Sequence, residues 1–133
     1  MSAVVAQNPD DAPALSAYGY LKFKQQDYDA ALDALTKAAK LDPQNAQVQN
    51  YLGVTLSHKG QQAQAEEALL KAVEIDPGYA AAHNNLAVIY INEQPAKAEL
   101  ARWHYQKALQ SGQARNEELE KLLASKGAPV AQQ

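Results

Sequence analysis

"DPQNAQVQNYLGVTLSHKGQQAQAEEALLKAVEIDP", residues 42–77, opens and closes on the same Asp-Pro pair. Inside it, Leu52, Gly53 and Leu56 are followed by Ala65, Leu69, Ala72 and Ile75. Apolar residues at offsets of three and four are the stripe of an amphipathic helix, here written twice. "KGQQ" interrupts the two stripes. The residue before a proline avoids the α region, so Asp42-Pro43 and Asp76-Pro77 each end a helix. The stretch therefore predicts two helices joined by a turn.

The same unit recurs along the chain. Pro9, Pro43 and Pro77 are each 34 residues apart. In the preceding period Leu15, Tyr18, Gly19 and Leu21 mark one helix, and Ala31, Leu35, Ala38 and Leu41 a second, with "QQDY" between them. A period of this length points to a helix–turn–helix solenoid. Gly19, Gly53 and Ala87 stand at one register of the first helices, and Ala31, Ala65 and Ala101 at the facing register of the second. Small residues there let two antiparallel helices approach closely, and larger ones would strain the packing. One helix pair cannot hide its apolar face alone, so pairs stack.

Composition agrees with this. The 133 residues predict one domain, long enough to bury a core without disulfides. Hydrophobic residues make up 47%, yet mean hydropathy is −0.46, because about one residue in five is alanine, the best helix former. The net charge is −3 and the charges are interspersed, with Arg102 and Arg115 the only arginines. No basic patch exists to track a phosphate backbone, which argues against nucleic acid as a partner. Without cysteine there are no disulfides and no thiolate metal sites. Residues 1–30 hold no apolar run long enough for a signal segment or a membrane span, so no membrane partner is expected. The composition is compatible with cytoplasm and periplasm alike.

No catalytic or cofactor-binding constellation emerges, and the chain is not expected to be an enzyme. His58, His83 and His104 fall in no metal-binding spacing and are expected to point in different directions. His83 reads as a packing residue with a hydrogen-bonded tip. Ser16, Ser57, Ser111 and Ser125 lack an activating partner in any recognisable pattern. Glu66-Glu67 and Glu117-Glu118 read as solvated helix faces.

The repeat resembles the tetratricopeptide repeat, whose 34-residue pattern sets Leu-Gly, Tyr, Ala, an aromatic, Ala and Pro at fixed positions. The second copy matches at Leu52, Gly53, Ala65, Leu69, Ala72 and Pro77, and the first at Gly19, Ala31, Ala38 and Pro43. The third matches at Leu86, Ala87, Tyr90, Ala101, Tyr105 and Ala108 but lacks the closing proline. The resemblance implies an all-α, right-handed solenoid. Repeats are expected at 12–45, 46–79 and 80–112, with a capping helix at 113–126. Residues 1–11 would be an arm or the remnant of a preceding repeat, and 127–133 a disordered tail. In the capping helix Asn116 is the expected N-cap, Leu119, Leu122 and Leu123 the apolar edge, and Gly127 the stop.

The third copy is two residues longer, the extra pair falling between Gln94 and Ala101 and lengthening the turn between its helices, with the second helix starting early. Pro95 is expected at or near the first position of the second helix, where its missing donor costs nothing. Trp103 lies off the core stripe and is expected to pack against the capping helix.

In the family the first helices line a concave groove that binds peptides. The matching offsets here give Ser16, Tyr20, Phe23 and Lys24, then Asn50, Val54, Ser57 and His58, then Asn84, Val88, Ile91 and Asn92. Tyr20 and Phe23 are the expected anchors, and the Asn50 and Asn84 amides can address a peptide backbone. Family members that clamp the acidic C-terminal tail of Hsp70 or Hsp90 use charged and amide groups at the positions of Ser16, Tyr20, Tyr51, Ala81 and Asn85. None of these is charged, which argues against such a tail as ligand. An asparagine ladder would need Asn at Ala17 and Tyr51. The resemblance thus implies a protein-interaction module for a partner of unspecified identity. The alternatives are a self-associating scaffold, with homo-oligomers, or the docking domain of a larger protein.

Overall fold

The computed structural model describes residues 11–126 and holds, over those residues, seven helices and no strand. They are α1 (Ala12–Lys24), α2 (Tyr28–Leu41), α3 (Ala46–His58), α4 (Gln62–Ile75), α5 (Ala80–Asn92), α6 (Ala98–Gln110) and α7 (Glu117–Lys126). The expected tail at 127–133, the stop at Gly127 and the arm before Asp11 lie outside the described residues.

Local chemistry sets most of the helix ends. Asp11, Asp27 and Asn45 begin α1, α2 and α3, their side chains accepting from the Ala14, Ala30 and Val48 amides at 3.1, 3.3 and 3.1 Å. The Asp-Pro pairs end α2 at Leu41 and α4 at Ile75, as the sequence predicts. Helices α1, α3 and α6 finish in one hydrogen-bonded motif: Asp27 donates to the Lys22 carbonyl, Gln61 to Leu56 and Gln113 to Ala108, each at 2.9 Å. The motif needs a left-handed residue one place earlier. Gly60 and Gly112 supply it, and Gln26 does so at φ 64°.

Length alone predicted one domain, whereas the chain divides into two compact units, Met1–Pro77 and Gly78–Gln133. Contacts in a repeat protein are local, so divisions of this kind follow from the architecture. In the first unit α1 pairs with α2 and α3 with α4, and α3 also packs on α1 and α2. Leu15, Ala34, Ala38 and Val48 form a core cluster there, with Tyr18 and Ala39 packed against it. The small residues act as expected. A Cβ on Gly19 would stand 2.7 Å from Leu35 Cγ, and one on Gly53 2.6 Å from Leu69 Cγ.

In the second unit α5 pairs with α6, and α7 lies on both. Leu119 and Leu123 carry the burial of α7. Asn116 is its N-cap, its side chain accepting from the Leu119 amide at 3.0 Å. Tyr105 on α6 fastens the junction: its hydroxyl donates to Glu120 Oε2 at 2.6 Å and accepts from the Asn116 amide at 2.9 Å. Arg115 holds both carboxylate oxygens of Glu120, at 3.0 and 2.7 Å. Hydrogen bonds from Arg115 and Tyr105 bring the Glu120 carboxyl down to about 2.

Two expectations fail in this unit. Pro95 is not at the start of α6; the helix begins at Ala98, and Pro95 sits in the turn after a cis Gln94-Pro95 bond. The insertion lies wholly in the turn, closed by the Lys97 amide donating to the Tyr90 carbonyl at 2.9 Å. Trp103 is 51% exposed and not covered by α7; the rings it meets are those of His83 and His104, with Lys107 Nζ above it. The buried stripe of α6 runs through Ala101, His104, Tyr105 and Ala108, which turns Trp103 aside from α7.

Candidate functional site

In the first unit the groove positions of α1 and α3 come together as a strip of rings. Tyr20 is 39% exposed and its ring lies 4.7 Å from that of Tyr51. Phe23 stands 6.2 Å from Tyr51, 5.8 Å from Tyr28 and 5.7 Å from His58, which stacks on Tyr28 at 4.7 Å with only 7° between the planes. Lys24 places its ammonium 5.8 Å from the centre of the Tyr20 ring, within cation–π reach. Val54 and Ser57 are half-buried on α3.

Tyr51 and Tyr28 were not among the predicted groove residues. Tyr51 had a legible signal, standing three residues before Val54 and so on the same helical stripe. Burial and the neighbouring Tyr20 raise the Tyr51 phenol above its ordinary value and keep it neutral. Beside this pair opens a cleft of about 540 Å³, lined by Pro13, Ser16, Ala17, Tyr20, Asp42, Asn45, Gln47 and Tyr51.

Two predicted groove residues do not reach a surface. Asn50 is 4% exposed and Ile91 is fully buried, so both belong to the packed interior. Offset along a helix sets direction but not depth, and these side chains point beneath their neighbours. On α5 of the second unit Val88 is 37% exposed, and Asn92 is exposed with its amide donating to the Val88 carbonyl at 2.9 Å. Asn84 is half-buried, and its Oδ1 is buried without a hydrogen-bond donor.

The histidines do not all point apart. His83 and His104 meet in the interior of the second unit with Nδ1 to Nδ1 at 2.9 Å, 3% and 5% exposed. Burial, and then the charge His83 would carry, lower His104 to about 4. His83 is thus a packing residue with a partnered tip, as read from sequence, and its partner is the histidine that sequence reasoning set aside. Among the described residues no group of three or more His, Asp or Glu side chains could hold a metal ion, and no helix is long and apolar enough to cross a membrane.

Comparison with known proteins follows the same repeat. Two family models, each described as tetratricopeptide repeat, match residues 17–80 and 68–114. No curated protein sequence matches the chain. Among solved structures, the first TPR domain of Spaghetti (RPAP3), bound to the HSP90 peptide SRMEEVD, is 27% identical with a TM-score of 0.78, over 90% of this chain and 93% of that one. The NMR structure of the first TPR domain of human RPAP3 is 26% identical with a TM-score of 0.77, over 90% and 97% of the two chains. PilF of Pseudomonas aeruginosa is 25% identical with a TM-score of 0.79, over 90% of this chain but only 55% of that one. Repeat pattern, helix pairs and family models agree, and the chain belongs to the tetratricopeptide repeat family, a class of protein-interaction modules.

Proposed function

We propose that the chain is a non-catalytic module that holds a peptide segment of a partner protein on the α1/α3 face of its first unit. The observation that carries this is the ring strip of Tyr20, Tyr51, Phe23 and His58, which leaves aromatic carbon exposed beside an open cleft. Aromatic anchors supply much of the energy of interfaces and lose little entropy when ordered. The Spaghetti domain, of similar fold, holds a peptide, which supports the same use here. In the second unit, taken by itself, Val88 and Asn92 are exposed at the equivalent offsets of α5. The repeat limits 12–45, 46–79 and 80–112 belong to the same reading.

Selection from a displayed peptide library on the whole chain tests it. Bound peptides should lose about tenfold or more in affinity to Tyr20→Ala and to Phe23→Ala, the scale of an aromatic hot spot. Undiminished binding by both variants would remove the α1/α3 face as the site.

Self-association is the second reading, favoured by Leu100 and Trp103, which lie 46% and 51% exposed on α6. Light scattering across a concentration series decides it, since a monomer throughout ends that reading.

A further inference from the structure

We propose that the cleft beside Tyr20 and Tyr51 receives the side chain of an arginine or lysine from the bound peptide; this rests on the peptide-binding reading above. The charges are the first reason. Asp42 is the only charged residue that lines the cleft. Among the described residues it has no ion-pair partner, and its contact is a long hydrogen bond from the Asn45 amide at 3.4 Å. It is the C-cap of α2, where the last carbonyls of the helix add further negative potential.

The N-termini of α1 and α3 open nearby and favour anions, but each is worth only about half a charge. Asp11 caps α1 with a full negative charge, and Asn45 caps α3 with a neutral amide. Two carboxylates and a helix C-terminus outweigh two capped N-termini. Lys24, one turn further along α1 from Tyr20, does not line the cleft.

The rings are the second reason. The Tyr20 and Tyr51 planes are 56° apart with centres 4.7 Å apart, a wedge that offers an aromatic face to an entering cation. A guanidinium lying on that face can direct its N–H groups at the Asp42 carboxylate, which is the planar donor geometry arginine carries. Gln47 adds an amide group at the rim for the peptide backbone. An acidic side chain would instead meet Asp42 as a like charge, so the preference is opposite in sign to that of a carboxylate clamp.

Titration of the ¹⁵N-labelled whole chain with N-acetyl-arginine amide, against N-acetyl-norleucine amide as a neutral probe of similar length, tests the cleft directly. The arginine probe should move the Ser16, Tyr20, Gln47 and Tyr51 amides saturably and bind more tightly than the norleucine probe. Asp42→Asn, an exposed change, should weaken the arginine probe by about threefold to fivefold, the scale of one exposed ion pair, and leave the norleucine probe unchanged. Equal affinity for the two probes, or no effect of Asp42→Asn, overturns the proposal. The library arm separates it from the parent reading. Peptides that depend on Phe23 but show no basic preference sink the cleft proposal and leave the peptide reading standing. No peptide at all, with an Asp42-dependent arginine titration, sinks the peptide reading and leaves a site for free cations.

Discussion

His83 on α5 and His104 on α6 share a hydrogen bond between their Nδ1 atoms, 2.9 Å apart and almost wholly buried. One of the two nitrogens donates and the other accepts. The rings of Tyr90 and Trp103 flank His104 at 5.6 and 4.8 Å.

The first prediction follows from that pair. The folded chain holds His104 at about 4 against 6.5 unfolded, so between those values the unfolded chain binds more protons. Stability of the second unit is therefore full above about pH 6.5 and declines as pH falls toward 4, by about 3 kcal/mol at most. Urea titrations followed by Trp103 fluorescence at several pH values measure it. His104→Phe should flatten the dependence.

Gly53 is irreplaceable for a steric reason. An added methyl would stand 2.6 Å from Leu69 Cγ and 3.1 Å from the Ala65 carbonyl oxygen. Overpacking costs about 1–3 kcal/mol, and the helix propensity gained from alanine returns no more than about 1. Gly53→Ala should destabilise on balance. Paired with Leu69→Ala it should cost less than the two single changes together, because the clash is gone. A double-mutant denaturation cycle reads this coupling.

The opposite result is expected at Gln26. It adopts φ 64°, the conformation that Gly60 takes at the same place in the next period. Gln26→Gly relieves left-handed strain but adds freedom to the unfolded chain, and should stabilise by up to about 1 kcal/mol. Gly60→Gln should destabilise by a similar amount. Thermal melts of the two variants give opposite shifts in Tm.

Tyr105 is the latch of α7. Tyr105→Phe leaves the Asn116 amide without its acceptor and Glu120 with Arg115 alone, and should cost about 1–3 kcal/mol, seen as faster amide exchange across residues 117–126. Glu120 adds an acid-side signature. Its pKa is lowered from 4.5 to about 2, so its contribution is full above pH 4.5 and is lost as pH falls toward 2. Arg115→Ala should raise the pH at which α7 begins to exchange.

Much of this was legible without coordinates because it depends on neighbours in sequence. The Asp-Pro stops, the cap at Asn116, the helix pairs and the tight contacts at Gly19 and Gly53 follow from spacing and local backbone chemistry. The reading of Pro95 shows where that ends. The two-residue insertion was rightly placed in the turn, but that α6 begins only at Ala98, past Pro95, goes with the Lys97 to Tyr90 hydrogen bond, which spans the turn.

The candidate surface divides in the same way. Tyr20, Phe23 and His58 were placed on one face by helical offset, and they do converge. Offset could not tell that Asn50 and Ile91 are buried, that Tyr51 and Tyr28 complete the strip, or that Trp103 stays outside α7. Nor could it bring together His83 and His104, 21 residues apart and on different helices. By itself the 34-residue period determined the helices, their pairing and the family, since each turn and cap is chosen by residues a few places away. The tertiary structure alone decided which side chains are buried and which polar groups meet, since depth and partnership depend on the size of side chains contributed by other helices.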